Sequence, residues 1–134
     1  MAKGAKRKHA GRQKKKKIHV PEGLVKIRSS YNNTIVTLTD KEGRVLAWSS
    51  GGHIGYKGAR KGTAFSAQQA GEKVLEQAQR IFSMKRVDIT TKGPGPGREP
   101  VIRVFQGSDV EVASIRDITP HPHNGTREKR PKRK

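Results

Sequence analysis

The chain has 134 residues and no cysteine, with hydrophobic residues at 31% and aromatics at 4%. That describes one domain with a small core, no disulfide framework and no thiolate chemistry. Lys and Arg number 30 against 11 Asp and Glu, for a net charge of +19, and no apolar run approaches the ~18 residues that a membrane span needs.

The charge divides the chain into three. Residues 1–17 hold nine basic and no acidic residues, residues 121–134 hold six basic and one acidic, and residues 18–120 are net +5. The expected organisation is a basic N-terminal arm (1–17), an α/β RNA-binding domain (18–120) and a basic C-terminal tail (121–134). Such extensions repel themselves, are disordered when free, and call for a polyanion. Nucleic acid fits, because neutralising phosphates releases counterions. An anionic membrane surface is the rival, but neither tail has an apolar face to insert, so no membrane partner is expected. The basic N-terminus lacks an apolar h-region and is not a secretory signal, which makes the cell interior the default.

Within the arm, Lys14, Lys15, Lys16 and Lys17 suit either a nuclear-localisation patch or an RNA-binding extension. Pro21-Glu22-Gly23 breaks the chain. Leu24–Ser30 alternates, with Val25 and Ile27 on one side and Lys26 and Arg28 on the other, which predicts a half-buried strand with a basic outer face. Tyr31-Asn32-Asn33 is a turn, and the β-branched run Thr34–Thr39 is a second strand. Asp40-Lys41-Glu42-Gly43 is hairpin chemistry leading to a third strand, Arg44–Ser49.

Five glycines then fall within residues 51–62, interleaved with His53, Tyr56, Lys57, Arg60 and Lys61. The cations suit phosphates and Tyr56 suits stacking on a base or ribose. A flexible loop with merely solvated charges is the bland alternative.

Thr63–Phe82 is the clearest helix, with Ala67, Ala70, Gly71, Val74, Leu75, Ala78, Ile81 and Phe82 at helical spacing. Thr63 or Ser66 can cap it, and Ser66 with Gln69 resembles a capping box. Arg86–Thr91 is a fourth strand. The run Lys92-Gly93-Pro94-Gly95-Pro96-Gly97-Arg98-Glu99 follows. Its prolines stiffen it and its glycines admit another backbone. Gly93, Gly95 and Gly97, flanked by Lys92 and Arg98, make an anion site if their amides point outward. A tight strand-to-helix turn explains the run equally well. Glu99, Pro100 and Gly107 bracket a short second helix despite its β-branched residues. Val110–Thr119 is the last strand, with Val112, Ile115 and Ile118 as core candidates. The order is β-β-β-α-β-α-β, a mixed sheet with right-handed crossovers and helices on its faces, in a ribonuclease H-like three-layer architecture.

No catalytic constellation assembles. The dinucleotide fingerprint fails at Arg98, and no P-loop or other cofactor motif is present. A metal-dependent nuclease of this architecture would need acids on its sheet, yet the first strand offers Lys26 and Arg28. His121 and His123 are fewer than the three or four ligands a zinc site wants, and they serve better as donors to phosphate or base edges. The readings that remain are a structural RNA-binding protein, such a nuclease, and a general nucleic-acid-compacting protein. Asn124-Gly125 is prone to succinimide formation, because glycine leaves its nitrogen unhindered.

Four stretches in this order carry a resemblance: Tyr31–Val36 with Thr39-Asp40, Gly55–Lys61, Lys92–Glu99, and Asp117–Pro120 followed by Pro122–Gly125. Together they resemble the universal small-subunit ribosomal protein S-eleven family, in its bacterial or organellar form, over roughly residues 18–127. Departures are Thr126 for a usual cysteine, Glu128-Lys129 for a common proline pair, and Ala64 for a usual proline. The resemblance implies a non-enzymatic protein of the small-subunit platform that bridges helices of the ribosomal RNA and helps form the Shine-Dalgarno cleft. It implies a cytoplasmic or organellar ribosome, with the small-subunit proteins S-seven and S-eighteen, initiation factor three and messenger RNA as neighbours. RNA contact is then carried onto Asn32, Asn33, Lys57, Arg60, Lys61, Lys92 through Arg98, His123, Asn124 and Arg127. Composition adds the tail cations Lys129, Arg130, Lys132 and Arg133.

Overall fold

The computed structural model describes residues 19–132, so the readings on Lys14–Lys17 and Arg133 lie outside the described residues. Five strands form one sheet: β1 (Glu22–Ser29), β2 (Thr34–Asp40), β3 (Val45–Ser50), β4 (Arg86–Lys92) and β5 (Glu111–Asp117), in the order β3-β2-β1-β4-β5. The helices are α1 (Ala64–Arg80) and α2 (Arg98–Gln106), with a short 3₁₀ turn at Gly58–Gly62. Every expected element is present, in the expected order.

The β1–β2 and β2–β3 pairs are antiparallel, whereas β1–β4 and β4–β5 are parallel. Strands β1, β3, β4 and β5 therefore run in the same direction. Thr63 supplies the cap of α1, its Oγ1 accepting the Ser66 amide at 3.3 Å. The alternative cap at Ser66 is excluded, since that residue is buried inside the first turn and its hydroxyl donates to the Lys61 carbonyl at 2.8 Å.

The core is the inner side of the sheet (Val25, Ile27, Val36, Leu38, Val87, Ile89) closed by Ala67, Ala70, Val74 and Ala78 of α1 and by Val101 and Phe105 of α2. Small residues let the two helices meet closely: a Cβ built at Gly71 would lie 3.2 Å from the Val101 side chain. Both helices lie on this one side, so the described residues stack in two layers rather than the expected three. The connection from β3 to β4 and the one from β4 to β5 step across the sheet in the same direction. Right-handed crossovers stepping the same way lay their helices on the same face. The opposite face, with Lys26, Arg28, Lys92 and Arg116, is exposed.

The expectation of burial for Ile115 and Ile118 is also corrected: they are 45% and 52% exposed. β5 is an edge strand with a register shift opposite Val87/Asp88, and the core contribution at this edge comes from Val110 just before it, 4% exposed, and the half-buried Val112 within it.

Candidate nucleic-acid interface

The sheet topology gathers the candidate residues. Because β1, β3, β4 and β5 share a direction, the 30–33 turn, the 51–62 loop, the 93–97 loop and the tail after Asp117 all leave the sheet at one edge. In open α/β sheets this carboxyl edge is where ligands are generally held.

The 30–33 turn is closed by its own polar groups. The Ser30 amide donates to the Asn33 carbonyl at 2.8 Å, and the Thr34 amide donates to Asn33 Oδ1 at 2.9 Å. Asn33 is thus a turn-holding residue, and Asn32 is the exposed amide. The 51–62 loop leans on this turn. A Cβ at Gly62 would overlap the Tyr31 carbonyl, so only glycine allows that approach. Lys57 and Arg60 are exposed and Lys61 is half-buried. His53 stacks on Trp48, with ring centroids 4.6 Å apart. Tyr56 is half-buried, and its ring meets Phe65 edge-on at 6.3 Å. Phe65, 58% exposed at the start of α1, and Trp48, 51% exposed on β3, were missed in the sequence reading. Trp48 lies between Ala47 and Ser49, which are buried, so its place in the strand turns it outward; nothing local signals Phe65.

The 93–97 loop overturns the anion-site reading of its glycine amides. The Gly93 amide donates to Thr119 Oγ1 at 3.1 Å, Gly95 to the Ser29 carbonyl at 3.2 Å, and Gly97 to Ser29 Oγ at 3.2 Å. The backbone that approaches these glycines is the chain's own. A Cβ at Gly93, itself at φ 101°, would overlap the Ser29 carbonyl, and one at Gly97 would overlap Thr34 Oγ1. The prolines and Lys92 are what the loop shows to solvent.

Arg98 Nη1 donates to Asp117 Oδ2 at 2.9 Å. Asp117 Oδ1 accepts from the Thr119 hydroxyl at 2.6 Å and the Thr119 amide at 3.0 Å. These bonds, the Thr119 hydroxyl and amide first and Arg98 after them, hold the Asp117 carboxyl below its ordinary pKa. Through Thr119 Oγ1 the same cluster reaches the Gly93 amide. It ties the strand-to-helix corner to the start of the tail. His121, His123, Asn124, Arg127, Lys129, Arg130 and Lys132 follow as exposed chain without regular secondary structure, with Asn124 at φ 70°.

Cations predominate at this edge, where Asp117 is paired with Arg98. Among the described residues, Arg28, Lys57, Arg60, Lys61 and Lys92 have no carboxylate within salt-bridge distance, whereas Lys41, Arg44, Arg80, Arg98 and Arg103 do. Unpaired cations clustered around rigid turns suit phosphate oxygens.

Comparison with known proteins decides the family. The family model described as "Ribosomal protein S11" matches residues 23–133. The chain belongs to the ribosomal protein S11 family. A relative from Thermotoga maritima, "Small ribosomal subunit protein uS11", is 52% identical over 95% of this chain and 98% of its own length. Relatives of the same name from Thermosipho melanesiensis and Coprothermobacter proteolyticus are 52% and 50% identical over 88% of this chain, covering 91% and 94% of their own lengths. Membership makes the chain a ribosomal protein, a structural component rather than an enzyme. The nuclease alternative also fails on position: β1 presents Lys26 and Arg28 to the open face, and Asp88 beside them accepts a hydrogen bond from Ser114 Oγ at 3.0 Å. No helix among the described residues is long and apolar enough to cross a membrane.

Proposed function

We propose that this chain is a structural constituent of the small ribosomal subunit. Its carboxyl sheet edge binds ribosomal RNA on the platform and bridges separate RNA helices. In that place it helps form the Shine-Dalgarno cleft beside messenger RNA, with proteins S-seven and S-eighteen and initiation factor three as neighbours, in a bacterial or organellar ribosome. The observation that carries the reading is the convergence of four chain segments on one edge of the sheet, with the unpaired cations Arg28, Lys57, Arg60, Lys61 and Lys92 within or next to them. The small-subunit names of relatives about half identical over nearly the whole chain support the assembly.

Contact in this reading falls to Asn32, His53, Lys57, Arg60, Lys61 and Lys92, and to the tail through His123, Asn124 and Arg127. Gly93, Gly95 and Gly97 serve it indirectly, by seating the corner on Ser29. Recognition rests on RNA shape and backbone, because the groups offered are mostly cations and amides. The test is binding of the purified chain to small-subunit RNA against duplex DNA at matched salt. Preference for the RNA supports the reading. Equal affinity favours a general compacting protein, and RNA turnover with added magnesium would overturn the structural role.

A further inference from the structure

The charges on the open face of the sheet are sorted along its strands. Register places Trp48, Thr37, Lys26, Thr90 and Arg116 in one row across all five strands. The next row toward the binding edge holds Ser50, Ile35, Arg28 and Lys92. The four cations of these rows are exposed, and neither row contains an acid. The acids of this face lie outside these two rows: Glu22 and Glu111 flank Arg86 at the far end, Glu22 also pairs with Lys41, and Asp88, in the row adjoining Lys26, accepts from Ser114. Trp48 stands at the end of the cationic row, half exposed, with the His53 ring stacked at 4.6 Å and 29°.

An exposed indole held by a ring partner, on one sheet face with four cations that begin two strands away and continuous with the proposed RNA-binding edge, suits stacking of an unpaired base. The row from β3 to β5 spans four interstrand steps, about 19 Å, the reach of a few nucleotides. The chain's own arm is a poor occupant, since residues 1–17 carry nine basic and no acidic residues. We infer that this half of the open face is a second RNA surface, which takes a single-stranded segment with a base on Trp48 and phosphates on Lys26, Arg28, Lys92 and Arg116. The inference rests on the rRNA-binding reading and extends it to a face and a strand type.

Trp48 is the only tryptophan in the chain, so its emission reports on the face directly. The full chain is titrated with a ten-nucleotide oligouridylate and, separately, with small-subunit RNA. Oligouridylate is expected to quench Trp48. Trp48→Ala should weaken oligouridylate binding, read by anisotropy of a labelled strand, by about 10-fold. Lys26→Ala with Arg116→Ala should lower the log–log salt slope by about 1.4. Oligouridylate that binds without quenching, with slope and affinity unchanged in these variants, overturns the inference while small-subunit RNA binding keeps the parent reading intact. Failure of the wild-type chain to bind either RNA overturns both. Photo-crosslinks from Trp48 in assembled subunits to an acidic protein instead of a nucleotide also overturn the inference.

Discussion

Two glycine-rich, basic stretches sit at the carboxyl edge of the sheet, and their middles do different work. In the 93–97 loop the glycine amides are bonded to Ser29 and Thr119, and all three glycine Cβ positions are filled by Ser29, Ser30 and Thr34 atoms. In the 51–62 loop, Gly55 and Gly58 have φ of 109° and 61° with nothing near their Cβ positions, and Lys57 and Arg60 face solvent. The first stretch is a corner that the fold requires. The second is seated on the fold at its ends, Gly51 and Gly62, and displays charge between them. Similar composition therefore does not imply similar contact with a ligand.

A substitution at the corner should be the most damaging. Gly93→Ala meets both a left-handed φ and the Ser29 carbonyl, and should cost about 3 kcal/mol of stability, read as a lowered urea midpoint. Gly55→Ala in open space should cost only about 1 kcal/mol. Equal losses would erase the distinction between the two stretches.

Next is the display. Replacing Lys57, Arg60 and Lys61 together by alanine should weaken small-subunit RNA binding by roughly 10- to 100-fold at moderate salt while leaving the urea midpoint unchanged. Arg98→Ala should weaken the same binding by only about 5-fold, because one of its donors already serves Asp117 and its main role is to position the tail. A larger loss for Arg98→Ala than for the triple variant would move the contact surface onto the corner.

The smallest effect is a pH dependence. The Asp117 carboxyl is held below its ordinary pKa, so its contribution is present above the unfolded aspartate value and is lost as pH falls through the folded one. Wild type should therefore lose a little stability below the ordinary aspartate range that Asp117→Asn does not lose. Parallel acid profiles for the two would show that the cluster is idle.

Much of the fold was legible because its signals are local. Alternation in Leu24–Ser29, β-branching in Thr34–Thr39 and the Ala67–Ala78 stripe each report their own element. Pro100 and Gly107 outweighed the β-branched residues of α2 correctly. The layer count was not legible, since it depends on the direction in which each crossover steps across the sheet. Ile115 and Ile118 misled because edge position is a property of the assembled sheet. Of the site, the residues of the loops could be read, but the inward aim of the Gly93, Gly95 and Gly97 amides could not. Their acceptors, Ser29 and Thr119, lie far away in the chain. The Asp117–Thr119–Arg98 cluster hid for the same reason, although Asp-x-Thr before a proline is a turn signal in its own right.

In the proposed function, cations at the carboxyl edge neutralise RNA phosphates. The direct measurement is the salt dependence of small-subunit RNA binding by the full chain and by the Lys57, Arg60 and Lys61 triple alanine variant. A wild-type log–log slope steeper than the variant's by about 2 to 3 is the predicted result; superimposable slopes would contradict the account.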